Sequence, residues 1–356
     1  MRILIDIGHP AHVHYFKNMA KILSEKDNKF FFTCREKEFE IELLKYYNFS
    51  YISLGKKFNS KIGKILGLII FEYKLMKIAL KFKPDMFLSA GSMYAAHVSW
   101  LLHKPHISLE DTGNKEQVNI YKPFTEIILT SDFFPFDYGE KQIRYRSFQE
   151  LAYLHPHYYK SDREILNYLN LGKDEKFILI RLVAWNATHD TGQKGIKEKE
   201  LAKIIKKLEE NAFRVYISSE AELPVYFECY KIEIPPHLMH DALYYADIYI
   251  GEGATMAMET ALLGTPSIYV NSLKASNCEQ MEKEGLMEIC PDSKRLIDSV
   301  DYLVDHPDLK ELNRTKAKQL IETKIDLTEF LMWFIENYPE SVSIMKGEPE
   351  FQGRFR

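Results

Sequence analysis

Short apolar runs alternate with helical spacing along most of the chain. Residues 2–7 are mostly aliphatic and end at Gly8, after which 15–23 repeat apolar positions at helical intervals. A run this short, rich in branched side chains and followed by a helix, predicts a buried parallel strand. The same reading gives strands at 30–33, 85–89, 106–109 and 127–130, with helices at 36–47, 61–82 and 94–102. The rhythm breaks at 131–172, where aromatics and turn formers predict an interdomain connection and packing for Phe133, Phe134, Phe136 and Tyr138. It then resumes with strands at 177–182, 214–218, 248–250 and 267–269. A short extended piece falls at 232–234, and helices at 197–211, 239–245 and 255–263. A last helix at 327–338 is expected to cross back to the first half, and the tail after Pro339 is expected to be loosely ordered.

Strands alternating with helices predict parallel sheets covered on both faces. Two such halves fit the length of 356 residues. The boundaries expected are 1–155, 156–326 and 327–356, the last being the returning helix and tail. Ligands of open α/β sheets bind beyond the carboxyl ends of the strands. The loops that follow strands, and a cleft between the two halves, are therefore where chemistry is expected.

Composition narrows the function classes. Apolar residues make up 46% and the formal charge is −4, which excludes a chain that is disordered throughout. A dedicated nucleic-acid binder should be more basic, so no nucleic acid is expected. The four cysteines, Cys34, Cys229, Cys278 and Cys290, are scattered and fit a reducing compartment. Asp6 and Gly8 interrupt the first apolar run too early for an export signal, and the cytoplasm is the expected location.

The richest local signal is 246–266, a strand, a turn with Gly251 and Gly253, a helix start, and a Gly264-Thr265-Pro266 turn. Glycines admit close approach of backbone amides, and the first turn of a helix offers unpaired N–H groups and a positive dipole end. Gly253, Ala254 and Thr255 then read as a diphosphate seat. One turn further on, Glu259 offers a carboxylate to a ribose diol.

This segment resembles the donor-nucleotide signature of GT-B glycosyltransferases and of the related UDP-N-acetylglucosamine 2-epimerases. In those families a glutamate five residues before Gly-x-Pro holds the ribose, as Glu259 stands before Gly264. The whole chain resembles an uncharacterised archaeal and bacterial family of similar length placed near the epimerases. The resemblance implies a GT-B-like α/β fold of two Rossmann-like, doubly wound domains. It also implies a nucleotide-sugar donor, most simply a UDP-sugar, as substrate and no separate cofactor. In GT-B proteins the loop after the first strand of the second half contacts diphosphate or base. Here that loop offers Arg181, Trp185, Thr188 and His189.

The first loop reads Gly8-His9-Pro10-Ala11-His12-Val13-His14. Histidine ionises near neutral pH and suits a general base for a sugar hydroxyl. The run from His12 resembles the first helix of lipid-linked N-acetylglucosaminyl transferases, which a Gly-Gly-His opens, and His12 takes that histidine's place. Epimerases carry an Arg in this loop and an Asp after the strand that here ends at Gly91. This chain has Pro10, His12 and Ser92 there. Two further epimerase carboxylates do have counterparts, Glu110 and Glu116. His9 and His12, with Glu110 and Glu116, are the catalytic candidates. No third ligand accompanies His12 and His14, so no metal is expected.

Residues 56–83 carry eight lysines against one acid, Glu72, with apolar residues between them. Such a segment suits peripheral contact with an anionic membrane, and with it a lipid-linked or glycan acceptor at the inner face of the cell membrane. The function expected is inverting, metal-independent sugar transfer in cell-surface glycan assembly. A nucleotide-sugar 2-epimerase and a non-catalytic nucleotide-sugar-binding subunit are the alternatives.

Overall fold

The computed structural model describes residues 1–56, 61–172, 175–183, 195–272 and 275–356. The chain forms two compact units, Met1–Tyr158 with Lys324–Arg356, and Tyr159–Thr323.

The first unit contains, in order, β1 (Arg2–Ile7), α1 (Pro10–Ser24), β2 (Lys29–Glu36), α2 (Glu40–Tyr46), β3 (Tyr51–Lys56) and α3 (Lys61–Phe82). There follow β4 (Met86–Ala90), α4 (Met93–Leu101), β5 (His106–Leu109), α5 (Lys115–Tyr121), β6 (Ile127–Ser131), β7 (Gln142–Tyr145) and α6 (Leu151–Leu154). The strands make one parallel sheet in the order β3-β2-β1-β4-β5-β6-β7. β1 lies in its middle with Ile3, Leu4, Ile5 and Ile7 fully buried, as a strand covered on both faces requires. Leu4 and Phe87 from the sheet pack with Phe71, Leu75 and Ala79 of α3 and Ala95 and Val98 of α4.

The second unit contains α7 (Glu164–Tyr168), β8 (Lys176–Leu182), α8 (Glu198–Glu210), β9 (Phe213–Ser219), α9 (Met239–Tyr245), β10 (Ile248–Gly251) and α10 (Ala254–Leu262). It continues through β11 (Ser267–Val270), α11 (Ser276–Lys283), β12 (Met287–Cys290), α12 (Ser293–Asp305) and α13 (Leu309–Glu322). Its parallel sheet runs β12-β11-β10-β8-β9. α8 buries Leu201, Ile204, Ile205 and Leu208, an i, i+3, i+4, i+7 stripe, against Ile178 and Ile180 of β8. Gly264 joins α10 to β11 at φ +76°, and a Cβ there would lie 2.6 Å from the Arg314 Cα of α13. Both the backbone angle and this close approach demand glycine.

The chain then returns to the first unit with α14 (Leu327–Glu336) and α15 (Glu340–Gly347). In each sheet the winding reverses once, between β1 and β4 and between β8 and β10. Those are the switch points at which doubly wound sheets take ligands.

Three expectations need correction. The segment 131–172 is not a bare connection: it supplies β7 and α6, and Phe134 packs on Phe136 and Tyr138 inside the first unit. β7 escaped notice because it is an edge strand with Gln142 and Arg144 only partly buried, so no continuous apolar run marks it. β3, at the other edge, was missed for the same reason. The tail is ordered, since α15 is followed by a 3₁₀ stretch at Pro349–Phe355. Trp333 of α14 packs on Phe351 and Phe355, with ring centroids 4.8 and 5.4 Å apart, while the Arg146 amide donates to Gln352 Oε1 at 2.7 Å. All four cysteines are free.

Candidate functional site

In the second unit, β10 ends at the switch point and the chain turns through Glu252 and Gly253 into α10. Gly253 is the N-cap and provides no side-chain bond. The amides of Ala254, Thr255 and Met256 have no partner within the helix, and all three residues are only partly buried. Glu259 lies one turn beyond Thr255 on the same helix face and is 4% exposed. His240 of α9 donates from Nε2 to Glu259 Oε1 at 3.2 Å.

The two glycines differ in what they serve. A Cβ on Gly251 would fall 2.0 Å from the Tyr249 hydroxyl oxygen, so the protein's own packing excludes a side chain there. At Gly253 the nearest atom to such a Cβ is Val183 Cγ1 at 3.5 Å, an ordinary contact, and φ is −97°.

Glu252 has a role that the sequence did not announce. Its buried carboxylate accepts from the Val183 amide at 2.9 Å and the Ile196 amide at 2.7 Å. One side chain thus ties together two points of the chain beyond β8. Arg181 at the end of β8 donates to Ser218 Oγ at 2.7 Å and to Glu220 Oε1 at 2.8 Å, linking the ends of β8 and β9. Trp185, Thr188 and His189 lie outside the described residues.

In the first unit the switch point is organised around Asp6. This fully buried carboxylate accepts from Thr33 Oγ1 at 2.7 Å, Arg35 Nη1 at 2.7 Å and Ser92 Oγ at 2.5 Å. Ser92 is also the N-cap of α4. His9 is the N-cap of α1, its Nδ1 accepting from the Ala11 amide at 3.2 Å, and Pro10 in the first helical position has its φ already set for the helix. His14 is buried against Tyr47 and Tyr153.

His12 accepts at Nδ1 from the Gly8 amide, 3.3 Å away, so its proton sits on Nε2. Burial holds its pKa well below 6.5, and the charges of His9, Arg35 and Lys37 add to that. At neutral pH it is an uncharged hydrogen-bond donor. Its ring stacks on Tyr15 at 5.7 Å.

The two acidic residues after β5 divide their work. Glu110 is buried and accepts from the Thr112 amide, the Thr112 hydroxyl, the Gly113 amide and the Tyr121 hydroxyl. Oε1 takes three of these bonds and holds the loop, while Oε2 takes only the Tyr121 hydroxyl. Asp111 is partly exposed, and Tyr15 donates to its Oδ2 at 3.4 Å. Burial, then the neighbouring Glu110 charge, pushes the Asp111 carboxyl up to about 7. Glu116 is exposed in the first turn of α5 and has not been brought to this group. Asp111 and Tyr15 were not singled out from sequence, and His240 was expected only to cap or pack at the turn into its helix.

A family model described as "Protein of unknown function (DUF354)" matches residues 1–338. An uncharacterized protein of Methanocaldococcus jannaschii is 26% identical over 353 residues, covering 94% of this chain and 98% of the relative. Among solved structures, a UDP-GlcNAc 2-epimerase from Neisseria meningitidis bound to UDP-GlcNAc superposes with a TM-score of 0.63 at 14% identity, covering 91% of this chain and 99% of the other. The spinosyn forosaminyltransferase SpnP gives 0.62 at 13% identity, covering 96% and 99%. At these identities the likeness is one of fold, and the fold is GT-B-like.

Proposed function

The chain belongs to the DUF354 family, and we propose that it is a glycosyltransferase that moves a sugar from a nucleoside-diphosphate donor, a UDP-sugar, to an acceptor hydroxyl. The second unit takes the donor. The uncapped first turn of α10 receives the diphosphate, and Glu259, steadied by His240, receives the ribose hydroxyls. Neither packing nor backbone strain explains glycine at Gly253, which supports a ligand lying over it. The fold neighbour from N. meningitidis was solved with UDP-GlcNAc bound, which supports uridine as the base.

The observation that carries the reading is the Gly253 turn that opens α10 without a side-chain cap, with buried Glu259 one turn further in; Asp111 is assigned the base. A carboxyl with a pKa of about 7 is suited to take a proton from a hydroxyl near neutral pH. In the proposed step the acceptor oxygen bonds to the anomeric carbon as the bond from that carbon to the diphosphate breaks. The acceptor proton passes to Asp111. The departing charge is met by the amides and dipole of α10, so no step is assigned to a metal. His12, neutral and donating from Nε2, orients the acceptor rather than deprotonating it.

Epimerisation at C2 needs acid–base groups for a carbon and for the leaving and returning oxygen. Glu110 Oε1 is taken up by the loop, Ser92 caps α4 and Glu116 is exposed, which favours transfer over epimerisation. Incubating the chain with UDP-sugars and hydroxyl acceptors, then separating the products, tests this. A sugar attached to acceptor and free UDP support it; a UDP-sugar altered only at C2 sinks it.

α3 exposes Ile69, Ile70, Tyr73 and Leu80 beside Lys74, Lys77 and Lys81, which supports an acceptor presented at an anionic lipid surface. Among the described residues no helix is long and apolar enough to cross a membrane. Co-flotation with anionic but not neutral vesicles is the expected behaviour.

A further inference from the structure

Three metal-ligating side chains of the first unit that the proposed reaction does not use converge. His155, His157 and Asp326 bring one ligand atom each to within 4.8 Å of one another. His157 Nδ1 is 2.8 Å from Asp326 Oδ2, and His155 Nδ1 is 3.7 Å from the same oxygen. The two imidazole rings meet edge to face with centroids 4.4 Å apart. We propose that these three residues bind a divalent cation of the zinc class.

The donor set selects the ion. Two imidazole nitrogens and one carboxylate suit Zn²⁺, Co²⁺ or Ni²⁺, whereas Mg²⁺ and Ca²⁺ prefer oxygen alone. Ligands of tetrahedral zinc sit about 2.0–2.1 Å from the ion and hence about 3.3 Å from one another. The separations of 2.8 and 3.7 Å fall on either side of that value.

The site is built rather than incidental. The Asp326 side chain is 2% exposed, and its other oxygen caps α14 by accepting from the Glu329 amide at 3.1 Å. Its own amide donates to the Phe355 carbonyl at 2.6 Å. These contacts aim Oδ2 at the imidazoles, as outer bonds aim the ligands of metal sites. His155 Nδ1 accepts from the His157 amide at 3.4 Å, so it faces the carboxylate as an acceptor and not as a donor. A cation between them satisfies both and replaces that long bond. The His157 side chain is 60% exposed and gives the ion a way in from solvent. Three protein ligands leave a fourth position for water.

The position gives the ion a purpose. The chain leaves the first unit after Tyr158 and re-enters it at Lys324. His155 and His157 stand just before the first passage, and Asp326 just after the second. A bound ion clasps the two covalent passages to each other within the first unit.

The test is zinc binding to the full chain after dialysis against a chelator, followed by calorimetry and by melting temperature. One Zn²⁺ per chain and a raised melting temperature are expected. His157→Gln, which keeps an amide donor for Asp326, should weaken binding at least tenfold and lose most of the zinc-dependent rise in melting temperature. Asp326→Asn keeps a capping oxygen on α14 and should weaken zinc in the same way. Absence of binding by the unaltered chain overturns the proposal. So does binding of equal strength in both variants, which would move the ion to another set of histidines. Neither readout depends on catalytic activity.

Discussion

The Tyr15 hydroxyl lies 3.4 Å from Asp111 Oδ2, joining α1 to the loop after β5 across 96 residues of sequence. This long contact leaves the carboxylate largely to its surroundings, and those surroundings hold its proton to about pH 7. The proposed base must be ionised, so turnover should rise as pH passes upward through about 7 and level off above it. Asp111→Asn should lower turnover by about 10²–10⁴-fold while UDP still binds. A pH profile flat from 6 to 8, or an active Asn variant, would remove Asp111 from the mechanism.

The same shift makes a stability prediction of opposite sign. A carboxyl whose folded pKa is raised holds its proton more tightly folded than unfolded, so folding loses stability as pH climbs from the ordinary aspartate value of 3.8 to about 7. Asn carries no charge to desolvate. Asp111→Asn should therefore melt higher than the unaltered chain at pH 8 and close to it at pH 4. Scanning calorimetry at the two pH values checks this, and a variant that melts lower at pH 8 contradicts it.

Glu259 and His240 should act together on the nucleotide. Loss of one hydrogen-bonded charged contact costs about 1.5–3 kcal/mol, so Glu259→Ala should weaken UDP roughly 10- to 100-fold. His240→Ala should weaken it less, because the carboxylate remains but loses its 3.2 Å tether. A thermal-shift panel of UDP, GDP, CDP and dTDP reads both effects and identifies the base. A diphosphate at 100 times its Kd adds about 2.7 kcal/mol of stability, an easily measured shift. Equal shifts in the unaltered chain and in Glu259→Ala would separate the nucleotide from α10.

What could be read from sequence follows the distance over which each feature is encoded. The strand, turn and helix around Glu259 occupy some twenty consecutive residues, and central strands such as β1 are apolar on both faces. Both were legible. The edge strands β3 and β7 bury only alternate or isolated positions and were not. The partners of Asp6 stand 27, 29 and 86 residues away, and His157 reaches Asp326 across 169. No local pattern marks such pairs, because the sheet order creates them. His12 was legible as a histidine at a strand's end, but the Gly8 amide on its Nδ1 is set by the turn geometry.

The knot around Asp6 should govern the stability of the first unit. Arg35 is its only full charge partner among the described residues, at 2.7 Å, and the guanidinium also lies over the Tyr94 ring at 4.8 Å. Arg35→Met fills much of the same space but leaves a buried carboxylate with hydroxyl donors alone. Breaking one side of a buried pair costs about 3–5 kcal/mol. Urea unfolding should show a loss of that order, and Asp6→Asn in the Arg35→Met background should recover part of it. No recovery would mean that Arg35 acts through packing on Tyr94 rather than through charge.

Glu252 offers a sharper separation of structure from binding. Its two oxygens each accept one backbone amide, from Val183 and from Ile196, and Gln can replace only one of them. The other amide would then face an NH₂ group, a loss of about 1–3 kcal/mol for a buried donor left unpaired. Glu252→Gln should lower the melting temperature and speed hydrogen exchange at Val183 or Ile196, with Ile250 in the core of β10 unaffected. UDP affinity should fall less than in Glu259→Ala, since Glu252 lies before the helix and points its carboxylate at these amides. If UDP affinity falls as far while both amides exchange at the original rate, Glu252 belongs to the ligand and not to the tie beyond β8.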